Sequence, residues 1–466
     1  MSATRLESDS IGTLAVPSDA YYGVHSLRAR QNFHITGQTL HPALIVALAQ
    51  IKKAAALTNQ SGGFLSSEAA QAIVQACDEI IAGQWHEQFI VDPLQGGAGT
   101  SANMNANEVI ANRAITLLGG QLGDYTIIHP IDQVNMSQST NDVFPTAGKL
   151  AILTLLPETI HQLKRLHAAF NEKAQAFDTI IKMGRTQLQD AVPMRLGQSF
   201  QAFAKVIARD IHRLETAAQE LTWLNLGGTA IGTAINVPAQ YLHHITPTLS
   251  RITGLKLRQA DDLIDATQNL DSFVAMSGAL KTCAVNLSKI ANDLRLLSSG
   301  PRTGIHEIEL PPRQNGSSIM PGKVNPVIPE VVSQVAFHII GHDFTITMAA
   351  EAGQLELNAF EPVLFYNLFQ AIDILGRAAA TFTDNCVTGI TADPARCYYL
   401  LEQSVGTITA LCPYIGYKKA ADIAKRSLTT GIAITQLLLE DGHFTREELD
   451  RLLDPYQMTS PAPVQP

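Results

Sequence analysis

The chain has 466 residues, which is enough for about three domains of ordinary size or one large elongated domain. Its 33 basic and 42 acidic residues give a formal net charge of −9, and no five like charges follow one another, so nucleic acid is not expected as the main partner. Apolar residues make up 46% of the chain but aromatic residues only 6%, which favours helix packing over a β-sandwich.

The five cysteines are widely spaced and form neither a CxxC pair nor a Cys/His cluster with metal-ligand spacing. We therefore expect buried, reduced thiols, no metal and no cofactor. Residues 1–10 are polar and acidic, unlike a signal peptide, and the apolar stretches stop well short of the ~20 residues that a membrane span needs. The sequence predicts a soluble, cytoplasmic protein that does not enter a membrane.

The N-terminal part begins with a mixed segment and continues with helical patterns. Residues 8–33 contain scattered Gly and Pro and predict an ordered arm with short extended pieces. Apolar residues then recur with helical spacing over 42–59, 68–82 and 103–118. Ser66 and Ser67 are capping candidates for the second of these helices.

Two long segments in the centre give the strongest helical signal. Residues 198–226 contain neither Pro nor Gly, and residues 261–299 contain only Gly278. They predict helices of about 29 and 39 residues, roughly 43 and 58 Å long. Apolar residues cover several faces of the second segment, which indicates burial on several sides and a bundle that continues across subunit boundaries.

Further helices are predicted over 330–352 and 362–382, after which the pattern changes. From about residue 393 the helices become shorter and are separated by Gly and Pro. Thr445 and Glu448 form a capping-box pattern that predicts the start of the last helix. The C-terminal part therefore differs in architecture from the long-helix centre.

Four polar islands, rich in Gly, Ser, Thr and Asn, interrupt the helical chain. They offer hydroxyls, amides and free backbone N–H groups rather than charges. Such donors suit a small anion whose charge grows during a reaction, because dipoles that are already aimed need little reorganisation. The first, second, third and fourth islands are residues 96–103, 134–142, 184–190 and 316–326.

The fourth island reads GSSIMPGKVNP and closely resembles the signature of the aspartase/fumarase superfamily. The resemblance implies a mainly α, three-domain fold, in which long central helices from four subunits form one multi-subunit bundle and islands of three subunits build each active site. The expected domains are residues 1–141, 142–392 and 393–466, and the expected assembly is a homotetramer. The other segments that carry the resemblance are PSDAYYGVHSLRARQNF (17–33), QGGAGTSANMNANEVIANR (95–113), VNMSQSTNDVFPT (134–146), GRTQLQDAVPM (184–194) and MAAEAGQLELN (348–358).

Within the superfamily, the first and third islands are closer to the aspartases than to the fumarases. The resemblance implies reversible elimination of ammonia from aspartate to give fumarate, through an aci-carboxylate dianion. It implies that Ser317 is the catalytic base, deprotonated with help from loop N–H groups and Lys323. For substrate binding it implies Thr100, Ser139, Thr140 and Ser318 at the reacting carboxylate, Thr186, Lys323 and Asn325 at the other carboxylate, and Asn141 and Gln187 near the amino group.

One position departs from the superfamily pattern. Many members have a His paired with a Glu where this chain has Gln187, although Glu330 is present. An amide cannot shuttle protons, and departing ammonia tolerates this better than departing hydroxide, so Gln187 favours an ammonia-lyase. The alternatives are fumarate hydratase or another C4-dicarboxylate lyase, and a non-catalytic crystallin-like homo-oligomer, in which loss of a loop residue such as Ser317 would be expected.

Overall fold

A computed structural model gives the conformation of residues 3–460. Within this range the chain is predominantly helical and its strands form four two-stranded pairs, which confirms the predicted mainly α fold. The helices are α1 (Val24–Asn32), α2 (Pro42–Ser61), α3 (Ser67–Ile81), α4 (Thr100–Leu117), α5 (Thr140–Ala176), α6 (Leu196–Glu220), α7 (Ala239–Thr253), α8 (Asp265–Gln268), α9 (Asp271–Leu297), α10 (Val327–Glu351), α11 (Glu361–Asn385), α12 (Pro394–Gln403), α13 (Cys412–Ile415), α14 (Tyr417–Thr430), α15 (Ile434–Glu440) and α16 (Arg446–Leu452). The strands are β1 (Thr4–Ser8), β2 (Thr13–Pro17), β3 (Ile181–Thr186), β4 (Gln189–Arg195), β5 (Trp223–Leu224), β6 (Arg258–Gln259), β7 (Ile308–Glu309) and β8 (Thr391–Ala392).

The three predicted helices of the N-terminal part are present, with small shifts at their ends. α2 begins at Pro42. Proline lacks an N–H group, but the N–H of the first helical residue makes no hydrogen bond within the helix, so nothing is lost there. α3 follows Ser66, whose hydroxyl accepts a hydrogen bond from the N–H of Ala69. α4 begins at Thr100, earlier than the predicted start at residue 103, so its first turn lies inside the first island.

The two long central helices are shorter than the sequence predicts. α6 ends at Glu220, because Trp223 in β5 is extended and pairs with β6. The single helix predicted over 261–299 is wrong, since Asn269 has extended backbone between α8 and α9. α9 keeps 27 residues, about 40 Å at 1.5 Å per residue.

The longest helix, α5, was not predicted as a single helix. It has 37 residues and contains Pro145 and Pro157 in its interior. Each proline removes one helical hydrogen bond and usually ends a helix. The apolar side chains on both sides of these prolines, including Phe144, Leu150 and Leu163, are fully or almost fully buried, so packing maintains the helix where local propensity is against it.

The described chain divides into two compact units. The first unit comprises residues up to Ile160, His212–Ala284 and Ala336–Gly376, and the second comprises His161–Ile211, Val285–Val335 and the residues from Arg377 onwards. The unit boundaries fall inside the long helices α5, α6, α9, α10 and α11. The division into three domains at 1–141, 142–392 and 393–466 stays a prediction.

Each unit has its own aromatic core between long helices. In the first unit, the ring of Phe365 on α11 lies 5.3 Å from that of Phe144 on α5 and 5.1 Å from that of Phe273 on α9. In the second unit, the ring of Phe170 on α5 lies 6.1 Å from that of Phe200 on α6 and 6.0 Å from that of Phe382 on α11. The long helices therefore supply the hydrophobic core of both units.

The C-terminal helices of the second unit bury a smaller apolar cluster of their own. The predicted capping box is present: the hydroxyl of Thr445 accepts from the N–H of Glu448, whose carboxylate accepts from the N–H of Thr445. The buried members of the cluster are Ile408, Leu411, Ala420, Ile423, Ile434, Leu437, Leu438 and Leu449.

Of the helices in residues 3–460, α5 alone is long and apolar enough to cross a membrane by length and composition, whereas the sequence predicts no stretch of that length. However, 67% of its most apolar window is buried inside the fold, as in a core helix. All five cysteines are free, and four of them are buried. Among the described residues, no group of three or more His, Cys, Asp or Glu side chains is arranged to hold a metal ion.

Candidate active site

The first island forms a tight turn at the N-terminus of α4. Gly97, Ala98 and Gly99 all have positive φ, at 89°, 55° and 87°, and a Cβ on Gly99 would collide with the ring of Phe144. This backbone leads directly into the first helical turn at Thr100. Free N–H groups at the start of a helix attract anions. Thr100 is exposed, and its hydroxyl donates to the carbonyl of Gly97 at 2.7 Å.

The second island leads into the N-terminus of α5. Ser139, Thr140 and Asn141 are half-buried at this helix start. Asn103, one turn into α4, donates from Nδ2 to the hydroxyl oxygen of Thr140 at 3.1 Å. The N-terminal ends of α4 and α5 therefore lie together, and their N–H groups and hydroxyls can serve one anion.

The side chain of Asp142 holds the second island in place through hydrogen bonds to backbone N–H groups. Its buried carboxylate accepts hydrogen bonds from the backbone N–H groups of Ser139 at 3.0 Å, Gly227 at 2.9 Å and Thr229 at 3.1 Å. Burial raises the pKa of Asp142 to about 6, while these N–H groups and the charge of Lys52 act in the opposite direction.

The segment 225–232 is a part of this site that the sequence reading missed. The Nδ2 of Asn141 donates to the carbonyl of Ala230 at 2.7 Å, and the Nδ2 of Asn225 donates to the carbonyl of Asn141 at 3.0 Å. Asn141 is thus held from both its side chain and its backbone. The segment reads NLGGTAIG and lies between helical patterns, so the composition that identified the four islands also marks a fifth.

Lys52 was also missed, because a lysine in a helical pattern predicts a solvated side chain. It lies on α2 with no exposed surface, and its Nζ donates to Asn135 Oδ1 at 2.8 Å and Gln138 Oε1 at 2.9 Å. Burial lowers the pKa of Lys52 to about 7. A buried amine therefore supports the loop that carries the second island.

The third island, in the second unit, is the tip of a β-hairpin. β3 and β4 are antiparallel. Ile181 pairs with Arg195 at the open end of the hairpin, and Thr186 pairs with Gln189 next to the turn. Gln187 and Leu188 form the turn, with positive φ of 54° and 63°. Residues other than Gly, Asn and Asp rarely adopt this conformation, so the turn is strained. Thr186 and Gln187 are exposed at the tip.

The fourth island, also in the second unit, is an exposed loop closed at its base. The N–H of Gly316 donates to the carbonyl of Lys323 at 2.8 Å, and Asn325 Nδ2 donates to the carbonyl of Gly316 at 2.7 Å. The side chains of Ser318 and Lys323 are exposed, whereas Ser317 is half-buried. The loop leads into α10.

Ser317 has a distinctive environment within this loop. Its hydroxyl oxygen accepts hydrogen bonds from the backbone N–H groups of Ile319 at 3.2 Å and Met320 at 3.1 Å. Two donors aimed at one oxygen favour its negatively charged form. This geometry is suited to an alkoxide.

The structure thus divides the ten predicted site residues between the two units. Thr100 and the second island lie in the first unit, where the hydrogen bond from Asn103 to Thr140 connects the N-terminal ends of α4 and α5. The other six lie in the second unit, and among the described residues no hydrogen bond joins the third island to the fourth. The first-unit residues are Thr100, Ser139, Thr140 and Asn141, and the second-unit residues are Thr186, Gln187, Ser317, Ser318, Lys323 and Asn325.

Comparison with known proteins gives matches over almost the whole chain. The lyase family model matches residues 12–341, and the model for the fumarase C C-terminus matches residues 408–460. An aspartate ammonia-lyase from Bacillus sp. is 53% identical over 98% of this chain and 98% of its own.

Two solved structures share the fold. One, described as a fumarate lyase:delta crystallin from Brucella melitensis bound to cobalt, is 52% identical, with a TM-score of 0.96 over 98% of this chain and 100% of its own. The other, a class II fumarase from Schistosoma mansoni, is 33% identical, with a TM-score of 0.96 over 98% and 99% of the two chains. The chain therefore belongs to the lyase family, within the aspartase/fumarase superfamily that its islands resemble.

Proposed function

We propose that this protein is an aspartate ammonia-lyase, a carbon–nitrogen lyase that converts L-aspartate reversibly into fumarate and ammonia. The observation that carries the proposal is the 53% identity to an aspartate ammonia-lyase over 98% of both chains. Gln187 supports this reading over fumarate hydratase, because an amide cannot supply the proton that departing hydroxide needs.

The reaction begins with removal of a weakly acidic proton. Ser317, as an alkoxide, takes the C3 proton of aspartate, and the electron pair of the C–H bond moves into the adjacent carboxylate to form an aci-carboxylate dianion. The electron pair then returns to form the C2–C3 double bond. At the same time the C2–N bond breaks, and ammonia leaves with the electron pair of that bond. Stabilising the dianion is the main catalytic task.

The geometry of the fourth island supports the role of Ser317, and the roles of the other island residues are part of the proposal. The N–H groups of Ile319 and Met320 stabilise the Ser317 alkoxide. Thr100, Ser139, Thr140 and Ser318 bind the carboxylate that becomes the dianion. Thr186, Lys323 and Asn325 hold the other carboxylate, with Lys323 providing the fixed positive charge. Asn141 and Gln187 face the amino group.

Asn141 is well suited to contact an amino group. Its Nδ2 donates to the carbonyl of Ala230 at 2.7 Å, so its Oδ1 is the end that remains for the substrate. Among residues 3–460, no protein donor reaches this oxygen. An acceptor in this position suits the N–H groups of the substrate.

The assembly that we propose is a cytoplasmic homotetramer in which several subunits complete each site. An exposed apolar stripe on α10 supports this assembly: Phe337 and Phe344 are 63% and 69% exposed, and Ile340 and Met348 lie on the same face. Contiguous apolar surface of this kind marks an interface. The occupant that fits it is a long helix of another copy of this chain.

The test is incubation of the purified protein with L-aspartate. Fumarate should appear by its ultraviolet absorbance, with one ammonia released per fumarate formed. A parallel incubation with malate is the control for hydratase activity. Conversion of malate without release of ammonia from aspartate would show a fumarate hydratase instead, and no conversion of either compound would favour the crystallin-like alternative.

A further inference from the structure

A network of side-chain hydrogen bonds in the first unit begins at Lys52. The ammonium form of lysine has three N–H groups and no lone pair, so it donates to both of its neighbours. Asn135 and Gln138 must therefore turn their amide oxygens towards Nζ, at 2.8 and 2.9 Å. Backbone carbonyls agree with this, because Asn135 Nδ2 donates to the carbonyl of Gln138 at 3.2 Å. Gln138 Nε2 likewise donates to the carbonyls of Val134 and Met136 at 3.0 Å. Side-chain amides are otherwise ambiguous in orientation, and this contact removes the ambiguity.

The orientation of Asn135 determines the orientation of two asparagines on α4. Asn135 Oδ1 also lies 3.2 Å from Nδ2 of Asn103 and 3.2 Å from Nδ2 of Asn107. Because this oxygen only accepts, both asparagines must present their NH₂ groups to it. Their own Oδ1 atoms are buried and find no donor among residues 3–460. A buried oxygen without a donor is unfavourable, so the arrangement is retained against a local penalty.

Asn103 also donates a hydrogen bond to Thr140, whereas Asn107 does not. The Nδ2 of Asn103 lies 3.1 Å from the hydroxyl oxygen of Thr140. Since the NH₂ group cannot accept, the Thr140 oxygen is the acceptor, and its single hydrogen must point elsewhere. Asn107 Nδ2 instead lies 3.5 Å from the sulfur of Met104.

We propose that Lys52, Asn135 and Asn103 form a relay of fixed hydrogen-bond polarity that makes Thr140 a donor to the reacting carboxylate. Asn103 is then a positioning residue that acts through Thr140. A hydroxyl whose hydrogen is already directed outwards stabilises a growing negative charge without reorganisation. This inference rests on the proposed function, since the anion that Thr140 meets is the nascent dianion.

The experiment compares Asn103→Leu with Asn107→Leu in the full-length protein. Both substitutions remove a buried amide of α4 that donates to Asn135, but only the first disconnects Thr140. We expect Asn103→Leu to lower kcat by roughly 10- to 100-fold with KM within about threefold of wild type, because the donor acts mainly in the transition state. Asn107→Leu should keep kcat within about threefold of wild type.

A double-substitution cycle with Thr140→Val tests whether the effect passes through the hydroxyl. In the Thr140→Val background, Asn103→Leu should change kcat by less than about twofold. The proposal is overturned if the two leucine variants lose equal activity, or if Asn103→Leu keeps its full effect without the Thr140 hydroxyl.

If circular dichroism shows that a leucine variant fails to fold, a second pair of variants tests the same proposal. Asn103→Asp and Asn107→Asp keep the side-chain shape, but a carboxylate at residue 103 accepts from Thr140 instead of donating to it. Asn103→Asp should lose at least as much kcat as Asn103→Leu, and equal losses in both aspartate variants overturn the relay. Wild-type protein that releases no ammonia from aspartate refutes the proposed function separately, and the comparison is then made with the dicarboxylate that it does convert.

Discussion

Lys182 and Glu307 form an almost fully buried ion pair, with Nζ 2.7 Å from Oε2. The other carboxylate oxygen of Glu307 lies 2.8 Å from Nη1 of Arg185. Both cations are on β3, and Glu307 directly precedes β7. One buried carboxylate therefore anchors the strand that ends at Thr186, immediately before Gln187 in the turn.

Removal of this carboxylate should strongly destabilise the protein. Glu307→Ala leaves the buried Lys182 and the half-buried Arg185 without their carboxylate partner, and breaking a buried ion pair in this way costs about 3–5 kcal/mol. Urea unfolding at one fixed protein concentration measures the loss. Glu309→Ala, which removes an exposed carboxylate two residues later, is the control and should have little effect. Equal losses in the two variants would contradict the anchoring role of Glu307.

Ser317→Ala should abolish turnover while the fold remains intact. The substitution removes the proposed base, and the N–H groups of Ile319 and Met320 lie in an exposed loop where water can satisfy them. We expect less than a few per cent of the wild-type kcat, with substrate still bound weakly. Steady-state kinetics and calorimetric titration with fumarate measure both quantities. A variant that retains more activity than this would exclude Ser317 as the base.

Lys323→Ala should act mainly on substrate affinity. Its exposed ammonium provides the fixed charge for the carboxylate that does not react, and this interaction contributes to ground-state and transition-state binding alike. We expect KM for aspartate to rise by at least about tenfold, as loss of a charge-assisted contact of 1.4 kcal/mol or more would give. Lys256→Ala, at an exposed lysine outside the islands, is the matched control. An unchanged KM would argue against anchoring by Lys323.

The stability of the protein should fall as the pH is lowered from about 6.5 to about 4, in part through His342. Burial, with a smaller contribution from the neighbouring His338, lowers the pKa of His342 from 6.5 to about 4. In this pH window the unfolded chain binds a proton that the folded chain does not, so acid favours unfolding. His342→Gln should make the pH dependence of the unfolding free energy shallower. An identical slope in the variant would show that His342 does not contribute.

The exposed stripe on α10 gives a direct test of assembly. Phe344→Asp places a carboxylate in the proposed interface and should reduce the mass measured by light scattering from that of a tetramer. Activity should fall at the same time, because islands from several subunits build each site. A variant with Asp in place of exposed Leu428, which lies on α14, is the control. A monomeric wild-type protein would remove the basis of this proposal.

Local sequence signals predicted the parts of the fold that depend on neighbouring residues. α2 and α3 follow from apolar periodicity and from residues at their starts, such as Pro42 and Ser66. The capping box at Thr445 likewise involves residues only three positions apart. These features need no distant partner, so the sequence alone specifies them.

Distant contacts explain where the sequence reading failed. α5 continues through Pro145 and Pro157 because both of its ends are packed in aromatic cores. The predicted helix over 261–299 breaks at Asn269, and β5 pairs with β6 far along the chain. Helical propensity contains no information about such pairings, which depend on which surfaces meet.

The site shows the same division between local and distant information. Composition alone identified the four islands, and resemblance to the superfamily proposed a role for each residue in them. Only the tertiary structure revealed that Lys52 on α2 and Asp142 at the end of the second island are buried, because a local sequence pattern does not show which charged groups lose contact with water. Whether an amine is solvated or buried against two amide oxygens depends on residues more than 80 positions away, and folding alone brings these groups together.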